Sequence, residues 1–322
     1  MRIPSVNFAR TFSTTTEKKR VFKVVEVGAR DGLQNEKKII SSADKIDLIN
    51  KLSACGLKSI EATSFVSPKW VPQMADHQEV IEKITKFPGV SYPVLVPNLA
   101  GLNNVLKNGH VKEIAVFGAA SDSFSMKNVN ANVSDSLMRL QEVTRAALKS
   151  GLEVRGYISC VIACPYEGRT DNSVVARVTE ALLDAGCYEV SLGDTIGVGS
   201  AGSVSSMLDT VLKCAPADKL AVHFHDTYGQ ALANVVTAIE KGIRVADSSI
   251  AGLGGCPYAR GATGNVATED LVYMLHDLGF DTGIDLDKLI ETSMWICSRM
   301  GRSNASRVTT AVLAKRASNN LL

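Results

Sequence analysis

LAVHFHDTYGQALANVVTAIEKGIRVADSSI, from Leu220 to Ile250, spells out a strand, a helix and a second strand. Apolar residues and His alternate over Leu220–His225 with the period of two that belongs to a strand, which sends His223 and His225 to one face. A helical stretch follows and stops at Gly242, since glycine takes the left-handed conformation just past a helix without a Cβ penalty. RVADSSI then returns the chain to a strand. Strands joined through a helix pair in parallel. Two imidazoles side by side at a strand's C-terminal end suit a metal, because neutral imidazole is a common ligand of divalent cations.

The same device recurs along the chain. LSACG precedes SIEATSF, VLKNG precedes KEIAVFG, AALKSG precedes EVRGYIS and LLDAG precedes YEVSLGD, so Gly56, Gly109, Gly151 and Gly186 mark further helix ends. FPG at 87–89 and APAD at 215–218 supply the breakers before SYPVLV and LAVHFH. Eight strands result, at about 22–28, 59–65, 91–96, 112–118, 153–160, 188–193, 220–225 and 246–250, each followed by a helical segment. The last of these segments is expected to begin at Thr268 as a cap on TEDLVYMLHDLG. Eight such units in roughly 250 residues predict an α/β fold of the TIM (β/α)8 barrel type. An open doubly wound sheet is the alternative, but no G-x-G-x-x-G turn follows the first strand. Residues 284–322 exceed the eight units, so 21–322 is expected to be a single barrel domain with additional C-terminal helices from about 284.

Composition is that of an ordinary globular chain: 45% hydrophobic and 21% charged residues over 322 positions, with a formal charge of +2. No apolar run is long enough to span a bilayer, and the charges are interspersed, so neither a membrane nor a nucleic-acid partner is expected. Seven scattered cysteines without a C-x-x-C pair point to a reducing compartment and no disulfide framework. Residues 1–16, MRIPSVNFARTFSTTT, carry Arg2 and Arg10, six hydroxyl residues and no acid, the composition of a mitochondrial transit peptide.

Active sites of barrels lie at the C-terminal ends of the strands. That rule gathers Arg30 and Asp31 after the first strand, Glu61 in the second, Asp194 and Thr195 after the sixth, and His223 and His225 at the end of the seventh. The loop after the eighth, AGLGGCPYARGATGN, adds Cys256 and Asn265. Asp31, Asn265, His223 and His225 offer two oxygens and two nitrogens, a mixed donor set that suits Mg²⁺ or Mn²⁺ and leaves positions for a chelating substrate. Zinc or cobalt would also accept the two imidazoles. Five glycines around Cys256 suggest a loop that closes over substrate and brings a proton-transferring thiol to the metal. Arg30 can stabilise a developing enolate or thioester oxygen, while Glu61 and Asp194 are placed to orient Arg30 or the histidines. Cys160 and Cys164 read as packing residues.

VEVGARDGLQNE (Val25–Glu36), ATSFVSPKWVPQMAD (Ala62–Asp76), SLGDTIGVG (Ser191–Gly199), HFHDTYGQALAN (His223–Asn234) and GLGGCPYARGATGNVATEDLVYML (Gly252–Leu275) resemble the 3-hydroxy-3-methylglutaryl-CoA lyase family. The resemblance runs from about Val21 to Arg307. It implies that Asp31, His223, His225 and Asn265 bind the cation, that Arg30 contacts substrate and that Cys256 is the catalytic loop cysteine. It further implies a metal-dependent retro-Claisen cleavage of an acyl-CoA, in leucine degradation and ketone-body formation, by a homodimer in the mitochondrial matrix. The first proton acceptor is left open between His223 and Asp31, as is the step taken by Cys256. The wider family of metal-dependent barrels shares the Arg-Asp and H-x-H features, so an acetyl-CoA-dependent condensing synthase of the isopropylmalate or citramalate type is the alternative. The cysteine-bearing glycine loop separates the lyase from it. A metal-binding scaffold without activity is a third reading, opposed by the Arg-Asp pair and the loop thiol.

Overall fold

The computed structural model describes residues 20–255 and 264–319. The 1–16 leader and Cys256 therefore lie outside the described residues.

Eight parallel strands close into a barrel. In chain order they are Lys23–Glu26, a second strand in two pieces (Ser59–Ile60 and Thr63–Ser64), Val94–Leu95, Glu113–Ala119, Glu153–Ser159, Glu189–Asp194, Leu220–Phe224 and Val245–Ser248. Each pairs with its neighbours in sequence, and the eighth closes onto the first with Ala246 opposite Val24 and Ser248 opposite Glu26. The broken second strand completes the ring: its first piece pairs with the first strand and its second with the third. Across the break, Glu61 N donates to Glu26 O at 2.8 Å and Ala62 N to Pro93 O at 2.9 Å, so hydrogen bonding continues on both sides. The third strand is shorter than its apolar run because Pro93 and Pro97 have no N–H to give the ladder.

Helices surround the barrel, and the five expected stops at Gly56, Gly109, Gly151, Gly186 and Gly242 all have positive φ, between 72° and 106°. The eighth unit departs from expectation in detail. Ala267, not Thr268, is the N-cap residue of the helix Thr268–Asp277. Thr268 is instead the first helical residue, and its hydroxyl donates to Glu26 Oε2 at 2.6 Å. Glu26 also accepts from Gly28 N and Ile250 N, so one buried carboxyl ties together the turns that follow the first and eighth strands. Burial pushes its pKa up to about 7 against those hydrogen bonds.

Two helices, Leu286–Met300 and Arg307–Asn319, follow the eighth unit. The first buries Leu289, Ile290, Ile296 and Met300, and Asp270 accepts from Ser306, Arg307 and Val308 at the start of the second. Among the described residues no helix is long and apolar enough to cross a membrane.

The large core lies between strands and helices, whereas the barrel's interior is unusual in being partly ionic. Period two points Val25, Ala221 and Val245 inward as one apolar cluster, and Leu95, Ala115 and Tyr157 as another. The same parity turns Arg155, Glu189, Ser191, His223 and Asp247 into the lumen. Charged groups there require partners, because an isolated ion in a low-dielectric interior is costly.

Candidate metal centre

The turn after the first strand is a single π-helical turn, Gly28–Gly32, in which Val27 O accepts from Asp31 N at 2.7 Å and Gly32 N at 3.1 Å. Such turns recur at functional sites because they aim side chains out of the regular helical path. Here the turn carries Arg30 and Asp31 together over the barrel mouth. Arg30 Nε and Nη2 donate to Glu61 Oε2 at 2.9 and 2.7 Å, and Nη1 donates to Asp31 Oδ1 at 2.7 Å. Tyr157 OH adds a bond to Glu61 Oε2 at 3.3 Å.

Asn265 reaches the site through backbone pairing. His225 and Asn265 form an antiparallel bridge, Asp226 N donates to Gly264 O at 2.8 Å, and Val266 N to Phe224 O at 3.3 Å. This clasp needs glycine at two places. Gly254 and Gly264 both have positive φ, and a Cβ on Gly264 would come within 2.8 Å of the Gly254 backbone. A Cβ on Gly254 would in turn meet Asn265 Nδ2 at 2.9 Å. Asn265 Nδ2 donates to Asp31 Oδ2 at 2.8 Å and to Leu253 O at 3.3 Å, which leaves Oδ1 as the amide's remaining acceptor.

Asp31, His223 and His225 present ligand atoms within 4.8 Å of one another. His223 Nε2 stands 3.9 Å from Asp31 Oδ2, and the two imidazole centroids are 5.3 Å apart. Among the described residues, buried His225 Nδ1 has no hydrogen-bond partner. Asp31, His223 and His225 fit a divalent cation, two nitrogens and a carboxylate converging with no thiolate among them, and Asn265 adjoins them through its amide nitrogen on Asp31.

Electrostatics agrees with that geometry. Burial raises the Asp31 carboxyl, but Arg30, then His223, His225 and Asn265, outweigh it and hold its pKa down at about 2. Burial and the neighbouring His223 push His225 down to about 4, against the pull of Asp31 and a backbone contact at Thr195. His225 is therefore neutral, the form in which imidazole binds metals. Arg30, though buried, stays firmly cationic between Glu61 and Asp31.

Of the two carboxylates expected to orient the site, Glu61 bonds Arg30 directly. Asp194 makes no direct hydrogen bond to Arg30 or the histidines among the described residues: its Oδ2 accepts from Gly199 N at 2.7 Å, fastening the loop after the sixth strand, and against the effect of burial His223 is near enough to pull its carboxyl down. Thr195 Oγ1 accepts from Cys160 N at 2.8 Å, at a residue whose φ is +61°. Cys160 and Cys164 are buried, packed with Ala119 and Phe124. Sequence reading passed over Arg155, Tyr157, Asp247 and Gln34, of which Gln34 Nε2 donates to Asp31 Oδ1 at 2.7 Å. Arg in EVRGYIS and Asp in RVADSSI were visible as charges at inward positions of apolar strands, which was the available signal.

A family model described as HMGL-like matches residues 21–296. The chain is 57% identical over 301 residues to the mitochondrial hydroxymethylglutaryl-CoA lyase of Bos taurus, covering 94% of this chain and 92% of that one. Its structure is similar to the crystal structure of hydroxymethylglutaryl-CoA lyase from Pseudomonas aeruginosa, with a TM-score of 0.90, 55% identity, and coverage of 92% of this chain and 99% of that chain. An HMG-CoA lyase from Acinetobacter baumannii, solved with coenzyme A and 3-methylmalate, aligns with a TM-score of 0.86 at 36% identity, covering 90% and 95% of the two chains.

Proposed function

The chain belongs to the HMGL-like family, and from that premise we infer that it is a hydroxymethylglutaryl-CoA lyase, a carbon–carbon lyase that cleaves (S)-3-hydroxy-3-methylglutaryl-CoA to acetyl-CoA and acetoacetate. The observation that carries this reading is 57% identity to a lyase over 94% of the chain. The relatives reported above are lyases, not condensing synthases of the isopropylmalate or citramalate type.

Asp31, His223, His225 and Asn265 would hold a divalent cation, Mg²⁺ or Mn²⁺ by their donor chemistry. Such an ion supplies Lewis-acid polarisation, which lowers the pKa of the substrate's tertiary alcohol. The alcohol's proton has two candidate acceptors, Asp31 and His223; ligation through His223 Nε2 would occupy that nitrogen's lone pair and leave Asp31. As the bond between C2 and C3 breaks, its electron pair moves to C2 and onto the thioester oxygen, while C3 becomes the ketone of acetoacetate. Arg30 is the group to stabilise that oxygen, since its charge is fixed and Glu61 and Asp31 hold its fork in place. A proton then returns to C2 to give acetyl-CoA. We assign that delivery to Cys256 on the strength of the family resemblance.

The mitochondrial name of the bovine relative and the composition of residues 1–16 support residence in the mitochondrial matrix. The family resemblance supports a homodimer, with leucine degradation and ketone-body formation as its setting.

Incubation of the purified protein with HMG-CoA is expected to yield acetyl-CoA and acetoacetate, to stop on addition of EDTA and to resume with Mg²⁺ or Mn²⁺. Turnover undiminished by EDTA would remove the metal from the reading. Acetyl-CoA consumed with 2-oxoisovalerate or pyruvate, and no HMG-CoA cleaved, would favour the synthase. Cys256→Ala is expected to lower kcat about 10²- to 10⁴-fold, the usual range for loss of a positioned proton donor, with metal affinity nearly intact. Unchanged rates would reduce the thiol to packing.

A further inference from the structure

His223 is held from behind. Its Nδ1 lies 3.3 Å from Asp247 Oδ2, and that carboxylate is itself saturated with donors. Arg155 Nη2 donates to Asp247 Oδ1 at 2.8 Å, and Ser191 Oγ donates to Oδ2 at 2.7 Å. Arg155 is fully buried and anchored in turn, because its Nε donates to Glu189 Oε1 at 2.7 Å, and Lys23 approaches Glu189 at 3.4 Å. An ionic column thus runs up the barrel's lumen from Lys23 through Glu189, Arg155 and Asp247 to His223.

We propose that Asp247, fixed by Arg155 and Ser191, is a positioning residue that sets both the ring orientation and the tautomer of His223. A carboxylate can only accept, so Nδ1 must carry the proton and donate it, which leaves the Nε2 lone pair facing Asp31 Oδ2 at 3.9 Å. The opposite tautomer would point an N–H where the lone pair is needed. Arg155 fixes which way the Asp247 carboxylate acts, because its guanidinium cannot accept a hydrogen bond. The pair Arg155–Asp247 is also fully buried, so neither partner can turn to solvent without leaving an uncompensated charge. The inference rests on the reading of His223 as a cation ligand, but its test does not depend on lyase turnover.

The arrangement predicts an unusual mutational pattern. In Asp247→Asn, the amide oxygen must face the Arg155 donors, so the amide N–H₂ turns toward His223 and reverses its tautomer. Mn²⁺ affinity, read by the electron paramagnetic resonance of free Mn²⁺ and by calorimetry, is expected to fall about 10- to 100-fold. In Arg155→Met/Asp247→Asn the asparagine is free to flip its oxygen back to His223, and most of the lost affinity is expected to return. A merely structural role predicts the reverse, a double mutant no better than the single one. Wild-type Mn²⁺ affinity in Asp247→Asn, or no recovery in a folded double mutant, would overturn the proposal. If either variant fails to fold, ¹⁵N NMR of the metal-free wild-type imidazoles decides: protonated Nδ1 with bare Nε2 at His223 supports the proposal, and the opposite pattern ends it. Absence of HMG-CoA cleavage by the wild type alongside these binding and NMR results would fault the lyase reading alone.

Discussion

His223→Gln is expected to reduce turnover on the order of 10³-fold or more while the protein stays folded. A lost cation ligand forfeits several kcal/mol of charge stabilisation at the reacting oxygens, and each 1.36 kcal/mol is tenfold in rate. Glutamine has enough reach to donate to Asp247, and Arg155 and Ser191 remain on that carboxylate, so no buried charge is left alone. The measurement is kcat in saturating Mg²⁺ together with the thermal unfolding midpoint and Mg²⁺ affinity. A near-normal kcat in saturating Mg²⁺ would refute a metal or base role for this imidazole.

Arg30→Lys should be nearly as damaging although it keeps the charge. The guanidinium uses three N–H groups at once, two on Glu61 and one on Asp31, and a single ammonium cannot span both carboxylates with its remaining donors aimed at substrate. Loss of one preorganised donor to a developing oxyanion costs about 10²- to 10³-fold in kcat, and that is the expected fall, with KM changing far less. Equal losses in kcat and in substrate affinity would recast Arg30 as a binding residue. Unchanged kinetics would take it out of the mechanism.

Much of the molecule is legible from local pattern. The five glycines that stop helices were readable because positive φ is a property of single residues, and the eight strands because period two is a property of short windows. Strand-end residues followed from the barrel rule: once eight units are counted, Arg30, Asp31, Glu61, His223 and His225 must share one rim. Where local rules misjudged, a distant partner was the reason. Thr268 has the residue type of a cap, yet its hydroxyl goes to Glu26, 242 positions away. The Asp194 carboxylate, also at a strand end, is held locally instead, by Gly199 N five residues on.

Sequence alone therefore determined the barrel, the rim and the donor types of the candidate metal centre, because each depends on periodicity or residue chemistry within a few positions. Tertiary structure alone decided who pairs with whom in the lumen: Arg155 with Asp247, 92 residues apart, Asp31 with Asn265, 234 apart, and Asp247 behind His223. An inward-facing charge announces that it needs a partner, since burial without one is prohibitive, but nothing in its own strand says which. Closure of the ring, which sets the first, seventh and eighth strands side by side, makes that choice.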